Sequence, residues 1–369
     1  MDTAEKRATA ALWSVQGIGP VTLEAIRKRL GPLEDLLEKP LSAWASLIDW
    51  QGDAYERLSA LPSLAVAADR VERRCKEMQA QILFSGDKGF PSRLERIPDA
   101  PPMLFAFGPG ADAPPRRRLA IVGTRDIAAG FAPRVEGIAA DVGLCGLGVI
   151  SGAARGTDQA AHRGALKVGA ETWAFLGSAL DEIDALQRDI CQKILDAGGT
   201  LFTEFPPGFR SNLHSFILRN RLISGASDAV LVVRAPKKSG ALNTADNARK
   251  QGRPLLVTAA DPWDVTAEGS NELLRKGDAQ LHLGVEEVLH AVGITGSMSQ
   301  AEVTMPFELS ELSEPARLVL QRLGRAPDDF EGLQCAFPAL TSGEISAALV
   351  ELEVFGAVLH KGGRHYEKR

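Results

Sequence analysis

Apolar residues in the middle of this chain fall into short runs, and longer amphipathic stretches separate them. "RLAIVGT" (118–124), "GLGVISG" (146–152), "ETWAFLG" (171–177), "TLFTEF" (200–205), "DAVLVVRA" (228–235) and "PLLVTAAD" (254–261) recur at roughly regular intervals. Runs of this length with turn residues at their ends are the pattern of strands buried on both faces. Between them, segments such as "AGFAPRVEGIAADVG" and "TDQAAHRGALKVG" place small apolar residues at helical spacing. Repeated βαβ units predict an α/β fold, an extended Rossmann-like doubly wound sheet covering residues 76–290. Ahead of the first unit, "ILFSGDKGFPSRLERIPDAPPMLFAFG" predicts an N-terminal extension with an added strand or two.

The flanks follow different patterns. In residues 1–75, "LWSVQGIGPVTLEAIRKRLG" predicts a helix ending near Gln16, a Gly-Ile-Gly-Pro turn and a second helix. Leu23, Ile26, Arg27 and Leu30 fall on related faces of that second helix, which suits a SAM/helix-hairpin-helix-like domain. The turn's N–H groups would suit a DNA phosphate, or the turn is simply a tight connection between packed helices. Residues 291–312, rich in small and polar side chains, read as a linker. In 313–369, "SEPARLVLQRL" predicts a capped helix, and Thr341 with Glu344 forms a capping-box pattern before Ile345, Leu349, Leu352 and Phe355. Gly362-Gly363 then suits a two-residue hairpin turn, so the segment reads as a winged helix. Its presumed recognition helix carries Glu344, Glu351 and Glu353 but no cation before Lys361, a face that repels phosphate. That favours a protein contact or plain packing over groove reading as its role.

One stretch breaks the apolar pattern. "FILRNRLISG" (216–225) has helical spacing at Phe216, Ile217, Leu218, Leu222 and Ile223, yet Arg219, Asn220 and Arg221 interrupt it. Burying an unpaired charge costs several kcal/mol, so these arginines need partners or solvent. The chain's formal charge is -5, but residues 205–253 hold nine basic side chains against two acidic ones. That local excess predicts a positive patch. No apolar run is long enough to span a bilayer, and the N-terminus lacks a signal-peptide layout, so a cytoplasmic protein without a membrane partner is expected. Four scattered cysteines without a C-x-x-C argue against structural zinc or a disulfide framework.

In a doubly wound sheet, ligands meet the carboxyl ends of the strands. The segments there are "GTRDIAAG", "SGAARGTDQAAH", "GSALDEID", "EFPPGFRSNLHSFILRNR" and "RAPKKSGALNTADNARK". Their Gly, Ser and Thr residues present N–H groups to anions, and Arg125, Arg155, Lys237 and Lys238 supply charge. The glycine fingerprints for dinucleotides and for nucleoside triphosphates are both missing, so no cofactor is expected. Asp158, Glu204 and His162 lie near this crest, but helix capping, ion pairing and packing account for them more readily than catalysis does. Ser151 has no base partner legible in the sequence and lies outside any G-x-S-x-G. The crest reads as built to hold anions rather than to break bonds.

The ordered series "IVGTR", "SGAARGTDQAAHRGAL", "TEFPPG", "FILRNRLISG" and "SGALNTADNARKQGRPLLV" resembles the DNA-processing protein A (DprA/Smf) family. The match is dense over 118–280, and both flanks fit the family's three-part layout. The resemblance implies a non-enzymatic protein that binds and protects single-stranded DNA during natural transformation and loads the RecA recombinase on it. It also implies a homodimer through the Rossmann-like domain, with a single-strand-binding protein as a further candidate partner. The implied DNA contacts are Gly123, Thr124 and Arg125; Ser151, Gly152, Arg155 and Gly156; Phe216, Arg219, Asn220 and Arg221; and Lys237, Lys238, Ser239 and Gly240. Two positions depart from the family pattern. Ile217 stands where a proline is usual, and Ala259-Ala260 replaces a Pro-Gly turn. The competing reading is a nucleotide-processing hydrolase of the phosphoribohydrolase-like class. Such enzymes need a glutamate in the loop that here reads "SGALNTADN", which has none.

Overall fold

The computed structural model describes residues 3–48, 50, 53–109, 116–127, 130–294, 312–323, 328–354, 357–361 and 365–368. Most of the expected linker, Phe355 and the Gly362-Gly363 turn lie outside them. The chain forms two compact units, Met1–Thr295 and Gly296–Arg369.

The first unit opens with four helices: α1 (Thr3–Trp13), α2 (Pro20–Leu30), α3 (Ala54–Ser59) and α4 (Leu64–Met78). Pro20 sits at the first turn of α2, where its missing N–H leaves no helix bond unmade. Ser63 caps α4 by accepting from Val66 N, and Leu64, Ala67, Ala68, Val71 and Cys75 form its buried stripe. Further on lie β1 (Gln81–Phe84), β2 (Met103–Phe107), β3 (Arg118–Val122), α5 (Ala132–Leu144), β4 (Gly148–Ser151) and α6 (Thr157–Lys167). They are followed by β5 (Thr172–Phe175), α7 (Ala185–Asp196), β6 (Thr200–Thr203), α8 (Leu213–Ala226), β7 (Ala229–Val232) and α9 (Gly240–Lys250). The unit ends with β8 (Leu255–Thr258), α10 (Glu268–Lys276), β9 (Gln280–His282) and α11 (Val285–Ala291).

Among the described residues, nine strands form one sheet in the order β1-β2-β6-β5-β4-β3-β7-β8-β9. β3 through β9 pair in parallel. The extension contributes two strands: β1 pairs antiparallel with β2, and β2 antiparallel with β6. The chain leaves β3 through β4, β5 and β6, then returns to β7 on the other side of β3. That reversal opens a crevice at the carboxyl ends. β9 had no counterpart in the sequence pattern: three residues, two of them exposed, carry no periodicity.

Side chains alternate across the sheet with a period of two. On one side Ala174 and Leu201 join Met103 and Phe105 beneath α1, α4 and α7, so the N-terminal helices share a core with the sheet. On the other, Trp173, Phe175 and Phe202 pack against Leu222, Ile223, Ala245 and Ala248 of α8 and α9. Leu119, Ile121, Val149 and Leu231 meet α5 and α6. Trp13 Nε1 ties α1 to the sheet by donating to Glu204 O at 2.6 Å. Burial pushes the Cys75 and Cys191 thiols up to about 12, which keeps them unreactive.

In the second unit, α12 (Glu314–Leu323), β10 (Asp328–Asp329), α13 (Phe330–Ala336) and α14 (Ser342–Val354) precede β11 (Val358–Lys361) and β12 (His365–Lys368). The three strands form a small antiparallel sheet. The Thr341–Glu344 box is present: Thr341 N donates to Glu344 Oε2 at 2.7 Å, and Glu344 N to Thr341 Oγ1 at 3.3 Å. Glu351 accepts from Ser313 N and Oγ at 2.8 and 2.6 Å, so it braces α12. Among the described residues, no helix is long and apolar enough to cross a membrane.

Trp173 lies on β5, an interior strand of the sheet. It is 2% exposed, lies edge-on to Phe202 at 5.2 Å, and carries the Arg118 guanidinium 3.7 Å from its ring centre. Trp173→Ala is expected to cost about 3–5 kcal/mol, the range for truncating a buried aromatic, measured by urea unfolding against the parent chain.

Candidate functional site

The crest is a set of interlocked turns. Thr124 N donates to Arg234 O at 2.7 Å, joining the ends of β3 and β7. Thr124 O accepts from Thr157 N and Oγ1, which seats the start of α6 against β3. A Cβ on Gly123 would fall 2.6 Å from Thr157 Oγ1, and Gly156 holds φ +89, so both positions need glycine. Ser151 is fully buried and donates to Ile121 O at 2.6 Å. Ser239 caps α9 by accepting from Ala241 N, and Gly240 O accepts from Asn220 Nδ2 at 3.1 Å.

The interrupting residues of α8 are internal. Asn212 and Ser215 form a capping box, so the helix begins at Leu213 and residues 219–221 lie well inside it. Ile217 is half exposed on that helix, which runs through the position without a proline. Arg219 is 2% exposed and donates from Nη1 to Gly152 O at 2.8 Å and to Phe175 O, bridging the ends of β4 and β5. Asn220 holds Gly240 O and Asn243 Oδ1. Arg221 is 6% exposed, and its Nη2 donates to Glu204 Oε2 at 2.5 Å while Nε lies 3.0 Å from Asp99. The sequence motifs implied DNA contacts at Arg219, Asn220, Arg221 and Ser151, but the fold buries all four side chains. Burial gives each of them a bonding role inside the scaffold.

The acidic and imidazole groups near the crest are also engaged. Burial pushes the Glu204 carboxyl up, and the Arg221 guanidinium only partly offsets it. Burial likewise raises Asp158, against the opposing pull of Arg219; its carboxylate accepts from Ala154 N at 3.4 Å. His162 is wholly enclosed, and burial beside Arg219 and Arg163 lowers it to about 3. Thr172 Oγ1 donates to Val149 O, so the 2.7 Å contact with His162 has Nδ1–H as donor. Among the described residues, no group of three or more His, Cys, Asp or Glu is arranged to hold a metal.

What remains at the surface is a smaller cationic set. Arg125 is exposed, with its guanidinium 5.3 Å from the centre of the half-buried Phe216 ring, which rests on Gly177. Arg155 is exposed and paired with Asp126, and Lys237 with Glu268. Lys238 is exposed beside them. Arg125, Asp126, Arg155, Gly156, Gln159 and Arg163 line a cavity of about 390 Å³. Gln159 and Arg163 lie four residues apart on α6, a shared face that was available from the sequence, and Arg155 sits in the turn just before that helix. Arg234 also escaped the motif reading; it stacks 3.9 Å over Phe131 and pairs with Asp264 at 2.5 Å.

Much of the linear charge excess of 205–253 is met by acids from elsewhere in the chain. Arg210, Arg234, Lys237 and Arg249 meet Glu182, Asp264, Glu268 and Asp278 from outside that window. The loop replacing the expected Pro-Gly turn is held instead by Asn271 Nδ2, which donates to Ala260 O and Asp261 O at 3.4 Å.

Fold and site together define a doubly wound α/β protein with a partly cationic crest, beneath which Glu204 and Asp158 are buried. Residues 81–293 match the model of the DNA recombination-mediator protein A family, and the chain belongs to that family. It is 27% identical to protein Smf of Synechocystis over 97% of both chains. It is 34% identical to a DNA-processing protein DprA of Mycobacterium tuberculosis, over 77% of this chain and 73% of that one. The X-ray structure of DprA from Streptococcus pneumoniae superposes with a TM-score of 0.60 at 25% identity, covering 78% of this chain and 98% of that one. A Helicobacter pylori structure, described by its single-stranded DNA binding mode, gives 0.51 at 28% identity, covering 57% and 94%.

Two measurements separate the internal groups from the surface ones. Arg221→Ala strands a buried carboxylate and is expected to cost about 3–5 kcal/mol, whereas Arg125→Ala should leave the unfolding midpoint unchanged. His162 supplies the second. Its folded value lies near 3 against 6.5 unfolded, so only the unfolded chain takes up this proton as pH falls below 6.5. Its stability contribution is complete above pH 6.5 and is lost by up to about 1.4 kcal/mol per unit toward pH 3. His162→Gln should flatten that part of the slope between pH 7 and 5 in urea unfolding.

Proposed function

We propose that this chain binds single-stranded DNA along its crest, without cleaving it, and delivers it to the RecA recombinase during natural transformation. The observation that carries the reading is the Arg125–Phe216 pair. An exposed guanidinium stands over a half-buried ring at the carboxyl end of the sheet. Such a pair offers a flat face to a base and a charge to the adjoining phosphate. Arg155, Lys237 and Lys238 continue the cationic side, and Gly123, Thr124, Gly152, Gly156, Ser239 and Gly240 shape the turns beneath. The relative described by its single-stranded DNA binding supports the choice of ligand.

A non-enzymatic role agrees with the crest chemistry. Glu204 is held by Arg221, His162 by Thr172, and Asp158 lies beside Arg219. We assign the four N-terminal helices to a SAM/helix-hairpin-helix-like module. Gly17 there packs against Ala54, which favours a tight helix connection over a phosphate contact. The second unit is assigned to a winged helix in which Glu344 caps α14 and Glu351 braces α12. A homodimer through the Rossmann-like part, and a single-strand-binding protein as partner, complete the proposal.

The test is a fluorescence titration with oligo-dT across a range of salt. Arg125→Ala with Lys238→Ala should lower the log–log salt slope by about 1.4, at ~0.7 per phosphate released. Phe216→Ala should weaken binding roughly tenfold while leaving the slope alone, since stacking neutralises no phosphate. Parent-like binding by both variants refutes the crest as the site.

A further inference from the structure

The opposite edge of the sheet carries a second concentration of positive charge. Asp228, just before β7, is 6% exposed and accepts from Arg118 N at 2.9 Å. The same carboxylate pairs with Arg93, from the short turn Ser92–Arg96, and with Arg117 at 2.7 Å. Arg253, just before β8, donates from Nη2 to Gly225 O at 2.8 Å, and its Nε is enclosed without a partner. Its electrostatic neighbours are Arg93, Arg96 and Asp228. Arg96 and Arg116 are exposed.

Acidic groups do not balance this edge. Glu171 is taken by Arg118 at 2.9 Å, and Glu95 accepts from Gly86 N at 2.8 Å. Six guanidiniums thus face three carboxylates in a chain whose overall charge is -5. Arg93 and Arg117 are partly exposed, with side-chain exposures of 34% and 51%, so N–H groups not used by Asp228 remain open to an anion. Like charges held this close repel one another, and an anion laid across them relieves the strain.

We propose that this arginine edge is a second nucleic-acid surface, one that takes the phosphate backbone of a duplex while the crest takes an unpaired strand. Guanidinium forks match phosphate oxygens in pairs. No exposed aromatic accompanies them among the described residues: Trp173 lies beneath Arg118 at 2% exposure, and Phe84 and Phe90 are buried. Without a stacking platform, unpaired bases gain nothing here. A duplex, with one charge per ~1.7 Å of axis, offers the densest phosphate array. The inference shares with the crest reading only the choice of nucleic acid as ligand.

The test uses the full chain, a short random-sequence duplex and an oligo-dT of equal length, each titrated across salt. Arg96→Gln with Arg116→Gln removes two cations that form no ion pair among the described residues, so the unfolding midpoint should not move. Duplex affinity should fall roughly tenfold at low salt, and the slope should drop by about 1.8, at ~0.9 per phosphate. Arg116→Glu should weaken duplex binding further, and oligo-dT binding should match the parent in both variants. Arg125→Ala with Lys238→Ala should show the reverse pattern. Parent-like duplex slopes in folded Arg96/Arg116 variants overturn the proposal, as does a parent that does not bind duplex. Equal loss of both ligands also overturns it, because the two surfaces would then be one. Unchanged oligo-dT binding in the crest variant counts against the crest alone.

Discussion

A buried guanidinium organises the centre of this molecule. Arg219 lies in the middle of α8, almost closed to solvent, and donates to the carbonyls that end β4 and β5. A cation in such a place is tolerable only when fixed dipoles and an opposite charge surround it. Strand-end carbonyls supply the dipoles, and Asp158 is the acidic group whose field favours the charged guanidinium. Burial lowers Arg219 to about 10, so it stays charged at neutral pH. The constraint then spreads. Gly152 must stay bare so that its carbonyl can approach the guanidinium, and Gln187 pins that carbonyl from the other side at 3.3 Å. Phe216, three residues earlier on α8, is thereby set half-buried against Gly177, where Arg125 reaches it.

Arg221 does the same one sheet position away. Its bond to Glu204 locks α8 to the end of β6, and Glu204's own carbonyl accepts from Trp13 of α1. A single helix therefore fixes the crest turns, the strand ends and the N-terminal helices relative to one another. At the crest the scaffold takes up Arg219 and Arg221 and leaves Arg125 and Arg155 exposed.

Much of this was legible in the chain. All six central strands lie within the apolar runs, because strands buried on both faces need continuous apolar residues, and such runs survive any tertiary detail. The T-x-x-E box was equally plain, since capping is local. β9 was not, being too short to show a period. The site was only half readable. Spacing placed Arg219 and Arg221 on α8 beside apolar neighbours, but their partners lie at Gly152, Phe175, Asp99 and Glu204, far away along the chain. A linear count of charges also failed, because acids such as Asp264 and Glu268 come from beyond the counted window. The same blindness hid the arginine edge, whose members come from residues 93–118 and from 253.

The central claim is that an unpaired strand lies across the crest with a base against Phe216. Ultraviolet cross-linking of oligo-dT to the intact chain, with adducts located by mass spectrometry, tests it most directly. The account predicts adducts on the segments around Arg125, Phe216 and Lys238. Adducts confined to the N-terminal helices or to the second unit would contradict it.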